Sequence, residues 1–394
     1  MQARAEEELV FGPLALALAV RALPRTGAPD RRANAAATHE LSFAFDPEGL
    51  APEHRAALEC MESAHFGVRT RAATAEALFS CAPDELQACA ESSPAAQVFL
   101  AAQSAIEAPI LRPQLMGVVN VTPDSFSDGG RFLDPARAIE HAQALVAQGA
   151  ELLDVGGEST RPGATPISAR EELDRILPVI EGLAGSCGAT ISVDTQKATV
   201  AHAALEAGAQ IVNDISAGLA DPDMLGLVAE HGCGYVAMHM QGRPETMQEA
   251  PQYDDPVAEV ARFLRERGAA CLKAGIAAPK ITFDPGIGFG KSLDQNLEIL
   301  RRLTELRSLG RPLLLGVSRK SFIAHITGEE RPADWRERAR EGEQGDGHVR
   351  RLGGTAAAVT LCVMGGADVL RVHDVAVMSE AVQVASALRD GMTL

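Results

Sequence analysis

From about residue 113 onward two hydrophobic patterns alternate along the chain. Short runs of consecutive apolar residues are separated by longer segments in which apolar positions recur every three or four residues. The first pattern is that of a strand buried on both faces, the second that of an amphipathic helix. Four segments share one grammar: GAELLDVGG (149–157), GAQIVNDIS (208–216), GCGYVAMHM (232–240) and GADVLRVHD (366–374). In each, a helical pattern ends at Gly, the residue that most readily closes a helix in the left-handed conformation. An apolar strand follows, and a polar residue stands at its C-terminal end. LMGVVNV (115–121), TISVD (190–194), KITFD (280–284) and LLLGVSRK (313–320) end the same way without the Gly signal. Helical periodicity predicts helices over 136–148, 168–183, 198–207 and 256–274.

Apolar strands alternating with helices imply a parallel sheet covered on both faces, hence the α/β class. Eight such units in about 280 residues suit a (β/α)8 TIM barrel. A doubly wound open sheet is the structural alternative. Either fold gathers the polar strand-end residues at one rim: Asn120, Asp154, Asp194, Asn213, His239, Asp284, Ser318 to Lys320, Arg371 and His373. Carboxylates placed directly after buried strands are costly unless paired or liganded. Asp194, Asn213 and Asp284 together offer acceptors and one amide, a set suited to the amino-pyrimidinone edge of a flat nitrogen heterocycle. Lys320 and Arg371 suit phosphate or carboxylate. The competing reading is that each Asp caps the helix that follows.

Two loops look built to touch a ligand. VTPDSFSDGG (121–130) and GGESTRPGA (156–164) follow the first and second strands, carry carboxylates and hydroxyls, and are punctuated by Gly and Pro, as lids are. DPGIGFGKS (284–292) is not a P-loop, because the required Gly at 285 is Pro285. It reads instead as a Gly-rich turn that lets backbone approach a ligand, with Lys291 a solvated loop lysine and Ser292 with Gln295 a capping box. The histidines show no metal-protease spacing; His141 and His202 fall on helices and read as surface residues.

Ahead of the repeat, 1–39 reads as an N-terminal segment and linker, and 40–110 as a small α/β domain. The latter has strands near LSFAF, FGVRTR and EALFS and a helix over 52–64. The remainder, 112–394, forms the barrel.

Composition narrows the function. The 394 residues carry a net charge of −17, which disfavours nucleic acid and acidic membranes as partners. Seven Cys without a CxxC point to free thiols in a reducing compartment. The apolar run LVFGPLALALAV (9–20) follows Glu6, Glu7 and Glu8 and is too short to span a bilayer, so a cytoplasmic location is expected.

Taken in order, GVVNVTPDSFSDGG, ELLDVGGESTRPGA, ISVDT, IVNDIS, MHMQG, FDPGIGFGK, GVSRKSF, GTAAAV and RVHDV resemble the dihydropteroate synthase family over about 112–394. The resemblance implies a folate-biosynthesis transferase on a (β/α)8 barrel. Its members join 4-aminobenzoate to (7,8-dihydropterin-6-yl)methyl diphosphate by an SN1-like displacement. Carried over by position, it implies a catalytic set of Asn120, Asp194, Asp284 and Lys320, and a pterin site of Asp154, Asp194, Asn213, Met238, Asp284 and Lys320. Asn120, Arg371 and His373 would hold diphosphate, with Asn120 ligating Mg2+. Asp124, Phe126, Asp128, Thr160, Arg161, Pro162, Phe289 and Ser321 would form the loops and the aminobenzoate side. A homodimer is also implied, with the Arg/Glu-rich stretch 329–350 an extended loop or helix near the region where family members dimerise. Two rivals are a pterin-binding methyltransferase barrel with a corrinoid partner and a non-catalytic pterin-binding protein.

Overall fold

The computed structural model describes residues 110–122, 135–160, 164–244, 246–248, 250–328 and 351–390. It also gives the backbone of four N-terminal strands. Two compact units divide the chain: Met1–Pro109 with Tyr253–Ala269 and Arg302–Arg311, and Ile110–Gln252 with Ala270–Arg301 and Pro312–Leu394.

In the first unit, β1 (Val20–Leu23), β2 (His39–Phe45), β3 (Phe66–Arg71) and β4 (Thr74–Cys81) form an antiparallel sheet in the order β1-β2-β4-β3. Sequence reading assigned no strand at β1. The helix expected over 52–64 lies outside the described residues.

The second unit is the barrel. Its strands are β5 (Gln114–Asn120), β6 (Leu152–Gly156), β7 (Thr190–Asp194), β8 (Ile211–Asp214), β9 (Gly234–Met238), β10 (Ile281–Asp284), β11 (Leu314–Leu315) and β12 (Val369–Val372). They pair in parallel in the order β10-β9-β8-β7-β6-β5-β12-β11. Phe283 bridges Leu313 in parallel, and the Phe283 N–H donates to the Pro312 carbonyl at 2.9 Å. The two ends of the sheet therefore meet, and the open-sheet alternative falls. Helices follow the strands: α1 (Pro135–Ala147), α2 (Ala169–Leu183), α3 (Ala198–Glu206), α4 (Met224–His231) and α5 (Pro256–Ala274), then α6 (Leu293–Arg301), α7 (Leu303–Leu306), α8 (Ser321–Ile326), α9 (Leu352–Met364) and α10 (Val375–Asp390). Most of α5 and all of α7 belong to the first unit. The starts of α2 and α6 show side-chain caps. The Ser168 hydroxyl accepts the Glu171 N–H at 3.2 Å. Ser292 and Gln295 form the expected reciprocal pair, at 2.7 and 3.3 Å. Among the described residues no helix is long and apolar enough to cross a membrane.

Strand periodicity builds the site. Met116, Leu152, Val236, Leu314 and Val369, with Ile211 packed against them, fill one layer of the barrel interior. Side chains two residues further along a strand point to the same side, one layer nearer the strand C-termini. Those positions are Val118, Asp154, Asn213, Met238, Gly316 and Arg371. An apolar layer thus gives way within a single step to one in which Asp154, Asn213 and Arg371 are polar.

Candidate active site

One pocket opens at the C-terminal end of the barrel. Thr160, Asp194, Asn213, Ile215, Met238, Asp284, Ile287, Phe289, Gly316, Lys320 and Arg371 line it. Eight of these are positions singled out from sequence. Ile215, Ile287 and Gly316 were not, since an apolar or Gly residue after a strand carries no chemical signal of its own. Asp154 lies beneath the pocket, fully buried.

Arg371 ties the floor together. Its Nε donates to Asp154 Oδ2 at 2.6 Å and its Nη2 to Asp194 Oδ2 at 2.8 Å. Asp154 Oδ2 also accepts from Asn213 Nδ2 at 2.9 Å, which fixes the amide and leaves Asn213 Oδ1 as its acceptor. The other Asp154 oxygen has no hydrogen-bond partner among the described residues. Burial and the nearby Asp154 carboxylate push Asp194 up to about 7, against the pull of Arg371. Burial likewise raises Asp284 to about 6, although it accepts the Gly286 N–H at 2.7 Å and feels Lys320. Burial opposes the charge of Arg371, yet Asp154 and Asp194 outweigh it and hold its guanidinium above the usual range. Lys320 is brought down to about 8 by burial and by Arg371, and its Nζ lies 4.1 Å from the centre of the Phe289 ring, a cation–π contact.

The turn after β10 overturns one expectation. Lys291 is 2% exposed, not a solvated lysine. Its Nζ lies 2.9 Å from His239 Nδ1 and donates to the Gly286 and Phe289 carbonyls at 3.0 and 2.9 Å, with the His239 carbonyl at 3.4 Å. Burial lowers Lys291 to about 7, with Asp284 pulling it back up, so this nitrogen is held between the His239 ring and the backbone carbonyls. Burial and Lys291 lower His239 to about 2, keeping it neutral. The turn needs glycine: at Gly286 φ is +67°, and a Cβ would stand 1.9 Å from the His239 carbonyl oxygen. Lys291 thus fastens the turn that carries Ile287 and Phe289 into the pocket.

A second turn, between β11 and α8, presents Lys320. Arg319 takes φ +58° there. Its side chain pairs with both oxygens of Asp374, at 3.0 and 2.5 Å, and its N–H donates to Thr355 Oγ1 at 3.2 Å. Ser318 Oγ accepts the His373 N–H at 3.2 Å and lies 3.0 Å from His373 Nδ1, which orients that ring after β12. Ser321 opens α8 beside Lys320 and is exposed. Asn120 ends β5 half-buried, with no side-chain hydrogen bond among the described residues. Neither Ser321, Asn120 nor His373 lines the pocket itself.

The start of the second loop is anchored by a network that sequence reading missed. Lys197 Nζ donates to Glu158 at 2.9 Å and to the buried Glu172 at 2.5 Å. Glu158 also accepts the Ile167 N–H at 2.8 Å, and Arg175 donates to the Gly157 carbonyl at 2.7 Å. Thr160 follows directly. Asp124, Phe126, Asp128, Arg161 and Pro162 lie outside the described residues, as does 329–350.

Comparison with known proteins gives this arrangement a family. The family model described as pterin binding enzyme matches residues 116–373. Dihydropteroate synthase of Escherichia coli (strain K12) is 45% identical over 275 residues, covering 70% of this chain and 91% of that one. The Mycobacterium leprae enzyme of the same name is 46% identical over 279 residues, covering 70% and 93%. Among solved structures, Yersinia pestis dihydropteroate synthase in a sulfonamide drug complex superposes with TM-score 0.64 at 42% identity, over 72% of this chain and 96% of that one. Xanthomonas albilineans dihydropteroate synthase with 4-aminobenzoic acid gives 0.63 at 45% identity, over 71% and 94%. Strand-end chemistry, barrel topology and these likenesses agree: the chain belongs to the dihydropteroate synthase family of pterin-binding enzymes.

Proposed function

We propose that this transferase joins 4-aminobenzoate to (7,8-dihydropterin-6-yl)methyl diphosphate, giving 7,8-dihydropteroate and diphosphate in folate biosynthesis. The observation that carries the reading is the convergence of Asp194, Asn213, Asp284, Lys320 and Arg371 on one pocket above a sealed apolar layer. The pterin's amino-pyrimidinone edge donates to the Asp194 and Asp284 carboxylates and to Asn213 Oδ1. Lys320 donates to a ring acceptor, and Met238 packs against the ring face. Asp154, part of the same pterin set, orients Asn213 and Arg371 from beneath.

The chemistry follows from the charges. The methylene C–O bond breaks, leaving diphosphate and a cation conjugated to the pterin. Two carboxylates in a water-poor pocket favour that cation, as fixed charges do where charge develops. The uncharged amine of 4-aminobenzoate then forms the C–N bond and releases its proton. No strong base is needed, which suits a pocket without a Ser–His or Cys–His pair among its described lining residues. Arg371 and His373 face the departing diphosphate. Thr160, Phe289 and Ser321, with Asp124, Phe126, Asp128, Arg161 and Pro162 of the two loops, serve the aminobenzoate side.

Mg2+ fits Asn120. Its side-chain oxygen is a hard donor uncommitted among the described residues, and Mg2+ prefers one or two protein oxygens with substrate phosphate and water. Bound there, the ion would neutralise charge on diphosphate. A homodimer is supported by exposed apolar residues on α9 and α10: Leu361, Met364, Val377, Val384 and Leu388. Free thiols at Cys187, Cys233, Cys271 and Cys362 suit a reducing, cytoplasmic location.

The test is diphosphate release by the purified chain with Mg2+. Release that depends on 4-aminobenzoate and yields dihydropteroate supports the reading. Methyl transfer to a corrinoid without diphosphate would replace it with the methyltransferase, and pterin binding without turnover with the binding protein.

A further inference from the structure

Away from the pocket, three metal-ligating side chains converge on the outer helices. His202 and Glu206 stand four residues apart on α3, hence on one face, and His231 is the last residue of α4. One ligand atom from each lies within 4.8 Å of the other two. His202 Nδ1 and His231 Nε2 are 3.1 Å apart, with the rings edge to face. Two imidazole nitrogens on one tetrahedral Zn2+, each at about 2.0–2.1 Å, stand roughly 3.3 Å apart. Glu206 Oε1 lies 3.9 Å from His231 Nδ1, the ring nitrogen turned away from His202, and is exposed, so a rotamer change must carry it round to the Nε2 side to close the third bond. Both helix ends are held: the Gly232 N–H donates to the Val228 carbonyl at 3.0 Å, which fixes His231, and the Ala207 N–H to the Ala203 carbonyl at 3.0 Å.

We infer that His202, Glu206 and His231 form a second metal site, selective for Zn2+ or a similar borderline transition ion, that staples α3 to α4. Two histidines and one carboxylate leave a fourth position for water. Mg2+ is no competitor, since it prefers an oxygen octahedron and binds imidazole weakly. The site lies where α3 and α4 end and β8 and β9 begin, the end of the barrel opposite the pocket. Its ion therefore acts on stability and not on turnover. Sequence reading placed His202 on the surface, where it lies, but could not pair it with His231, which meets it only through packing.

The full chain, stripped with a chelator, is titrated calorimetrically with ZnCl2 and separately with CoCl2 while visible absorption is read. Expected are one zinc per chain, intense four-coordinate cobalt bands, and a rise in the unfolding temperature with zinc. H202Q, E206Q and H231Q should each weaken zinc binding at least about tenfold and abolish the thermal shift. Their Mg2+-supported dihydropteroate formation should match that of the parent chain. Absence of zinc binding overturns the inference. So does equal binding in all three variants, which would place the ion elsewhere, and so do octahedral cobalt spectra.

Discussion

Asp194 ends its strand in the one layer where barrel interior and solvent meet, and its chemistry follows from that depth. Burial and the neighbouring Asp154 carboxylate outweigh the pull of Arg371, so it ionises only around neutrality. Carboxylates accept from a pterin when ionised, and Lys320 contributes its charge when protonated. The kcat/KM for the pterin diphosphate should therefore rise with pH as Asp284 and Asp194 ionise, through about 6 to 7, and fall as Lys320 loses its proton at about 8. Initial rates over roughly pH 5 to 9 check this, and a flat profile would refute it. Asp194→Asn should lower kcat by about 10²–10³, and unchanged turnover would remove Asp194 from the reaction. Gly316 makes a separate test. A Cβ there meets no atom within 4 Å, so Gly316→Val should fold normally while its side chain enters the pterin's space. Its KM for the pterin should rise at least about tenfold, roughly 1.4 kcal/mol, with little change in unfolding temperature.

Among the elements, the turns after β10 and β11 determine the site as much as the strands do. At Arg319 a non-glycine residue sits in the left-handed region, at a cost of about 1–2 kcal/mol. The two-pronged pair with Asp374 offsets this and sets where α8 starts, hence where Lys320 points. Arg319→Ala removes the pair and keeps the strain; Arg319→Gly removes both. In urea unfolding, Ala should lose about 1.5–3 kcal/mol and Gly about 1 kcal/mol less than Ala. Equal losses would mean that the turn stores no strain. The turn after β10 shows why local sequence misleads. GFGK suggested an exposed lysine, yet backbone carbonyls from two separate loops converge on Lys291 Nζ. No spacing along the chain announces that convergence.

For the whole molecule, the apolar residues left exposed on α9 and α10 bear on assembly. Val377, Val384 and Leu388 recur at near-helical spacing along α10, with Leu361 and Met364 on α9. Sedimentation equilibrium should report a dimer of the 41.4 kDa chain. Val384→Asp with Leu388→Asp should shift it to monomer while the pocket stays folded, because both side chains are exposed in the isolated chain. A parent chain that sediments as a monomer would refute the dimer.

The sequence by itself determined the fold and most of the pocket, because both rest on local periodicity. Consecutive apolar runs specify buried strands, Gly-closed helices specify the alternation, and a polar residue two positions past an apolar one falls in the next layer of a barrel. Asn213 and Arg371 were legible in this way, as were Asp194 and Asp284 at strand ends, whereas the apolar Met238 entered only through the family resemblance. Tertiary structure decided what each polar group does. It placed Asp154 below the pocket and Lys291 in the protein interior, joined Lys197 to Glu158 and Glu172, and set His231 beside His202. Those outcomes depend on contacts between residues far apart in the chain, and a hydrogen bond reaches only about 3 Å. Such distances are fixed by packing, which no pattern along one strand or helix encodes.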